Sequence, residues 1–223
     1  MSPSLVADFQ GPRRGADRAV LLAHGAGSDR HAAALTVVAD ALAATGIPSL
    51  RFDYPYRTAG RRAPDRPPVL EAATREAAAT LARRTGLAPE RLVLAGRSMG
   101  GRYCSLVAAA PDDPVAALGL MLLAYPLQAM GRPERRRDEH FPRLSCPVLF
   151  VSGTRDSLAP KDALARSARK VRGPVTFEWL DTADHGFRPL KRSGTTLDEV
   201  LAHVAETCVT WVHSLGERPK HTR

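Results

Sequence analysis

The chain is organised around apolar runs that are too continuous for half-exposed strands and too short for buried helices. Ala19-Val-Leu-Leu-Ala23, Leu92-Val-Leu-Ala95, Leu118–Ala124 and Pro147–Ser152 are the clearest. Runs of this length suit strands covered on both faces. Ser49–Phe52 and Val175–Leu180 read as two more strands, and Leu5–Phe9 as an edge strand. Between them apolar residues recur at helical spacing, first at Ala34, Val37, Val38, Ala41 and Leu42, then over Val69–Thr85, Met99–Ala110 and Lys161–Lys170. Gly46, Pro48, Gly86 and Pro111 stop these helices. Thr195–Leu215 is a long amphipathic helix, with Leu197, Val200, Leu201, Val204, Cys208, Trp211, Val212 and Leu215 on one face. Residues 53–68 and 125–144 read as polar loops. Strands alternating with helices imply an α/β fold: a mostly parallel sheet of about six or seven strands with helices on both faces. A length of 223 residues suits one such domain. Residues 1–17 form a leader, 18–215 the domain and 216–223 a flexible tail.

Composition narrows the setting. No apolar run approaches membrane-spanning length, so no membrane partner is expected. Met1–Gln10 contains Asp8 and no long apolar stretch, so no signal peptide is expected. Cys104, Cys146 and Cys208 are odd in number and form no C-x-x-C pair. A reducing, cytoplasmic location is the expectation. The net charge is +9, and of 32 basic residues 28 are Arg. An Arg- and Ala-rich composition explains this without a nucleic-acid partner. The Arg residues are spread along the chain and aromatics are only 5%, which does not suit a base-stacking surface.

In doubly covered parallel sheets, ligands sit beyond the carboxyl ends of the strands. The run Leu92–Ala95 leads into Gly96-Arg-Ser98-Met-Gly100 and then a helix. This is G-x-S-x-G in the strand–turn–helix context that lifts a serine hydroxyl out of a tight turn. A nucleophilic serine needs a base and an acid to orient it. Asp156 follows the strand Pro147–Ser152, and His185 follows Val175–Leu180. Ser98, Asp156 and His185 are therefore the candidate catalytic residues. His203 and His213 lie within the last helix, and Asp184 adjoins His185 too closely for easy alignment. The oxyanion of acyl transfer needs two amide donors. Met99, at a helix start, is one; Ala26, in the turn His24-Gly-Ala-Gly27, is the other.

Other motifs fail on inspection. Gly25-Ala-Gly27 begins a dinucleotide-binding pattern, but Arg30 stands at the third glycine position. Gly96 to Gly101 has phosphate-loop spacing, but Arg102 and Tyr103 follow where Lys and Ser/Thr are required. No H-E-x-x-H and no clustered Cys/His set occurs, so neither a catalytic metal nor a cofactor is expected.

These segments resemble the α/β-hydrolase superfamily. The resemblance is carried by His24-Gly-Ala-Gly27, Arg51-Phe-Asp-Tyr-Pro-Tyr56, Gly60-Arg-Arg-Ala-Pro64, Gly96–Arg102, Ala124-Tyr-Pro-Leu127, Gly153-Thr-Arg-Asp156 and Asp184-His-Gly-Phe187. More narrowly, the set is similar to small bacterial members of the testis-expressed-protein, dienelactone-hydrolase-like group. The resemblance implies a hydrolase fold without a large lid domain, and carries Ser98, Asp156 and His185 over as a triad. One departure is Gln128-Ala-Met130, where a His-Pro-Pro-like sequence is expected.

The expected function is hydrolysis of a carboxylic ester or thioester, with a small-molecule acyl substrate and an acyl-enzyme. Arg51, Arg57, Arg61, Arg62 and Arg66 form one arginine group, and Arg132, Arg135, Arg136, Arg137 and Arg143 another. Both fall in loops expected to rim the pocket, with Arg97 and Arg102 flanking the elbow. A cationic rim favours a small anionic ester or lactone; a solvated surface paired with Glu134, Asp138, Glu139 and Asp65 is the competing reading. Arg61, Arg62, Arg97 and Tyr125 are the candidate substrate-binding residues, with Arg61-Arg62 alternatively bracing the loop through Asp53. Alternatives to hydrolysis are a non-catalytic binding or assembly module on the same fold, an acyltransferase, or a cofactor-free haloperoxidase. Oligomeric state, including a homodimer, stays open.

Overall fold

The computed structural model describes residues 5–216. The first four residues of the expected leader, and all but Gly216 of the expected tail, lie outside the described residues. Seven strands form one sheet in the order β1-β3-β2-β4-β5-β8-β9. They are β1 (Ala7–Gln10), β2 (Ala19–Ala23), β3 (Ser49–Phe52), β4 (Leu92–Arg97), β5 (Gly119–Leu123), β8 (Val148–Gly153) and β9 (Val175–Leu180). All neighbours are parallel except β1, which runs antiparallel to β3 with Ala7 opposite Phe52. The expected edge strand therefore exists, starting two residues later and ending one residue later than Leu5–Phe9.

Helices cover both faces. They are α1 (Ala33–Ala44), α2 (Pro55–Thr58), α3 (Pro67–Thr85), α4 (Met99–Ala108), α5 (Lys161–Ala168) and α6 (Leu197–Ser214). Successive strand residues point to opposite faces, so each strand feeds two cores. Leu21, Leu94, Leu120, Val148 and Phe150 meet Leu70, Ala77, Leu81, Cys104, Val107 and Leu164 on the side of α3, α4 and α5. Val20, Leu22, Val93, Met121, Leu149 and Val151 meet Leu35, Val38, Leu42, Val204, Cys208 and Val212 on the side of α1 and α6. This explains why the strands read as unbroken apolar runs. Each fully buried Leu, Ile, Val or Phe contributes about 1.5–3 kcal/mol to this packing.

Two corrections concern the loops. Residues 125–144 are not a plain loop: they contain a hairpin of β6 (Gln128–Ala129) and β7 (Arg132–Arg136), turned at Gly131 with φ 70°. Residues 53–68 contain α2 and the start of α3, whose first two residues are prolines. Proline is tolerated there because the first helical amides have no acceptor. No large lid is inserted; the segment between β5 and β8 adds only the hairpin and a single 3-10 turn. No helix among the described residues is long and apolar enough to cross a membrane.

The chain passes from β2 outward to β3, then returns across the sheet to β4. The strand order thus reverses between β2 and β4, which opens a crevice beyond their carboxyl ends. His24–Gly27 and Gly96–Gly100 both lie there.

Candidate active site

Ser98 joins β4 to α4 with φ 50° and ψ −114°. Such a conformation costs a non-glycine residue about 1–3 kcal/mol and persists only where its surroundings enforce it. They do so through close packing. A side chain at Gly100 would collide with the Ala23 carbonyl of β2, so α4 can approach the sheet only with glycine there. The Ser98 amide donates to the Leu123 carbonyl at 2.8 Å, which ties the turn to β5.

His185 lies beyond β9. Its Nε2 is 2.9 Å from the Ser98 Oγ, and its Nδ1 is 2.8 Å from the Asp156 Oδ2. Asp156 is buried beyond β8, and its Oδ1 accepts the Leu158 amide at 2.8 Å. The carboxylate is thus held at both oxygens. The His185 loop has two non-glycine residues in the left-handed region, Thr182 (φ 55°) and Phe187 (φ 64°). Asp184 is not aligned as an alternative acid. Its Oδ1 instead accepts the Gly186 amide at 2.7 Å and the Arg188 amide at 3.0 Å, shaping the turn that presents His185. Gly153, at the end of β8, has no room for a side chain against the Ala183 carbonyl. This close approach brings the Asp156 and His185 loops together, and the sequence reading missed it.

The oxyanion-donor candidates flank the serine. Met99 is the first residue of α4, where amides lack an intrahelical acceptor. A side-chain carbon on Gly25 would lie 3.5 Å from the Ser98 Cβ, so the β2 turn passes close to Ser98. The Gly25–Ala26 peptide of that turn is clamped. The Gly25 carbonyl accepts the Ser28 amide at 3.2 Å and the His24 Nδ1–H at 2.8 Å. In a trans peptide the amide points opposite to the carbonyl, so the clamp fixes where the Ala26 N–H points. His24 is fully buried, and its Nε2 accepts the Tyr54 amide at 3.2 Å. It is therefore the neutral Nδ1–H tautomer, and burial holds its pKa below the usual value. In the sequence alone His24 carries no signal beyond its place in a Gly-rich turn.

The four substrate-binding candidates behave differently. Arg97 is half-buried; its guanidinium donates to the His185 carbonyl at 2.9 Å and packs against Gly25. It links the histidine loop to the β2 turn. Burial lowers its pKa, opposed by the nearby Asp156 and Asp184. Tyr125 is fully buried, and its hydroxyl donates to the Arg137 carbonyl at 2.5 Å, so it anchors the hairpin rather than facing the crevice. Arg61 pairs with Asp65 at 2.6 Å, while Arg62 is exposed without a hydrogen bond or ion pair to a described residue. Neither braces Asp53, which instead binds the amide and guanidinium of Arg30.

Among the described residues, no group of three His, Cys, Asp or Glu side chains is arranged to hold a metal. A groove of about 1070 Å³ lies between α2, α3 and the N-terminal segment, lined by Leu5, Pro55, Thr58, Val69 and Ala72. It contains neither Ser98 nor His185.

Residues 16–213 match the family described as alpha/beta hydrolase domain. Several solved structures share the fold at low identity. Est1E from Butyrivibrio proteoclasticus, solved with ferulic acid bound, superposes with a TM-score of 0.72 at 17% identity, covering 95% of both chains. A dienelactone hydrolase from Anabaena variabilis gives 0.68 at 20% identity, covering 94% of this chain and 91% of that one. A serine hydrolase without a lid from Xanthomonas campestris gives 0.66 at 20% identity, covering 96% and 90%.

Proposed function

The chain belongs to the α/β-hydrolase domain family, and from that membership we propose that it is a serine hydrolase acting on a carboxylic ester or thioester. The observation that carries this reading is the unbroken hydrogen-bonded series from Ser98 through His185 to Asp156, built on a strained serine. His185 Nε2 takes the Ser98 proton as Oγ attacks the acyl carbonyl. The carbonyl oxygen becomes an oxyanion held by the Met99 and Ala26 amides. Asp156 keeps His185 in the Nδ1–H tautomer and stabilises its charged form. The tetrahedral intermediate collapses with loss of the alkoxide or thiolate, which receives the proton from Nε2. Water, deprotonated by the same nitrogen, then attacks the acyl-enzyme and returns Ser98 to its starting state.

The expected partner is a small acyl substrate; the fold neighbours solved with ferulic acid bound and as a dienelactone hydrolase support an ester of modest size. The test is intact-mass analysis after exposure to a fluorophosphonate. One adduct on the wild type and none on Ser98→Ala is the expected result. No adduct on folded wild type would overturn the reading and favour a non-catalytic binding module.

A further inference from the structure

Many arginines of this chain have found a carboxylate. Arg30 holds Asp53, Arg61 holds Asp65 and Arg75 holds Asp113. Another group, beside the β6–β7 hairpin, has no carboxylate partner among the described residues. Arg102 stands one helical turn beyond Ser98 on α4, and its amide donates to the Ser98 carbonyl at 3.1 Å. Its guanidinium lies over the Tyr103 ring, 5.3 Å from the centroid. The Nε is buried without a hydrogen-bond partner, and the side chain makes no ion pair with a described residue. Arg137, just past β7, is half-buried and equally unpaired, although its carbonyl is held by Tyr125. Arg135 is exposed beside it and also unpaired.

Two of these cations act on the third. Burial first, then the Arg102 charge, holds the Arg137 pKa below its usual value, with a smaller push from Arg135. The carboxylates of this region are turned elsewhere. Asp138 binds Lys170 at 3.0 Å and faces Arg136 at 3.9 Å; Glu134 and Glu139 are exposed and form no ion pair with a described residue. Like charges gathered in a partly desolvated place without a counter-ion work against folding. A bound oxyanion would remove that penalty, because guanidinium groups match carboxylate and phosphate geometry.

The location ties the cluster to the site. Tyr125, which anchors Arg137, follows β5, and the Leu123 carbonyl of β5 accepts the Ser98 amide. Gln128, at the start of the hairpin, donates its amide to the Leu158 carbonyl at 2.8 Å, next to the loop that carries Asp156. The hairpin therefore bridges the serine side and the aspartate side of the crevice. Along α4 the cluster begins about 6 Å of helical rise from Ser98.

We propose that Arg102 and Arg137, with Arg135 at the rim, form an anion subsite that holds a carboxylate or phosphate group of the substrate about one helical turn from its reacting carbonyl. The inference rests on the serine-hydrolase reading and sharpens it to anionic esters.

The experiment compares p-nitrophenyl hexanoate with mono-p-nitrophenyl adipate, which adds a terminal carboxylate to the same acyl length. Wild type should favour the adipate in kcat/KM by about tenfold or more, the scale of a charge-assisted contact. Arg137→Gln and Arg102→Gln should each bring that ratio below about threefold, mostly through KM. Arg91→Gln, just before β4 at the opposite end of that strand from Ser98, should keep the ratio. Inorganic phosphate at fixed ionic strength should raise the Tm of the wild type but not that of Arg137→Gln. The variant's own Tm should equal or exceed that of the wild type, as relief of like-charge repulsion requires; a purely structural arginine would lower it. Equal turnover of both esters by wild type, or a preference that survives in both variants, overturns the subsite while leaving the hydrolase reading intact. If neither ester turns over and no fluorophosphonate adduct forms, the hydrolase reading fails. Phosphate stabilisation lost in Arg137→Gln then supports the subsite alone, and its absence overturns both.

Discussion

Ser98 holds a backbone conformation that no local preference would choose, and the residues around it explain how. Gly100 lets α4 press onto β2, and Leu123 ties the turn to β5. The same logic extends to residues that do no chemistry themselves. His24 donates to the Gly25 carbonyl and so aims the Ala26 amide. His24→Ala should lower kcat by about 10–100-fold, less than the 10²–10³ of a lost oxyanion donor, with KM changed little. Equal losses in binding of substrate and in kcat would assign His24 to general packing instead. Asp156 has both oxygens engaged, one by His185 and one by the Leu158 amide. Asp156→Asn should keep the fold, read by circular dichroism, and lower kcat by about 10³–10⁴-fold through the wrong histidine tautomer. A loss below about tenfold would remove Asp156 from the proposed triad.

Elements were legible in the sequence to the extent that burial was two-sided and regular. β2, β3 and β9 fall where the apolar runs predict, and the helix limits agree to within a few residues. The β6–β7 hairpin was not legible, because Arg132-Pro-Glu-Arg-Arg136 is largely exposed and carries no apolar alternation. Its strands are held by Tyr125 and Leu158, which are remote from it in pattern though near in space. α2 was missed because one turn of four residues has no periodicity to read. α6 carries a reciprocal N-terminal cap: the Thr196 hydroxyl accepts the Glu199 amide at 3.2 Å, and the Glu199 carboxylate accepts the Thr196 amide at 2.7 Å. Thr196→Ala should cost about 1 kcal/mol, or about 2–4 °C in Tm for a domain of this size, without changing kcat. Gly153→Ala acts differently, because the clash falls on the backbone of the His185 loop. It should cost about 1–3 kcal/mol or more and also lower kcat, measured as unfolding midpoint and turnover on one preparation.

At the scale of the molecule, two histidines among the described residues are buried neutral. Burial, helped by the charges of Arg102 and Arg143, pushes the His140 pKa down to about 4, and burial also lowers that of His24. Between pH 6.5 and 4 the unfolded chain binds protons that the folded chain refuses. Stability therefore rises with pH across this window and is lost as pH falls below about 6.5. His140 alone contributes a loss of about 3 kcal/mol by pH 4. The slope of Tm against pH should flatten in His140→Gln, whose amide can still reach Ser105; an unchanged slope would place the acid sensitivity elsewhere. The sequence by itself determined the alternation of strand and helix, the sheet covered on both faces and the order of Ser98, Asp156 and His185 at strand ends. These follow from local periodicity and from turn chemistry, which are written in neighbouring residues. Only the tertiary structure decided that Arg97 and His24 hold loops in place, that Tyr125 is buried, and that Asp53 belongs to Arg30. It alone also left Arg102 and Arg137 together without a carboxylate. Those partnerships join residues far apart along the chain, and only the packing of the whole sheet determines which charges meet and which are left facing one another.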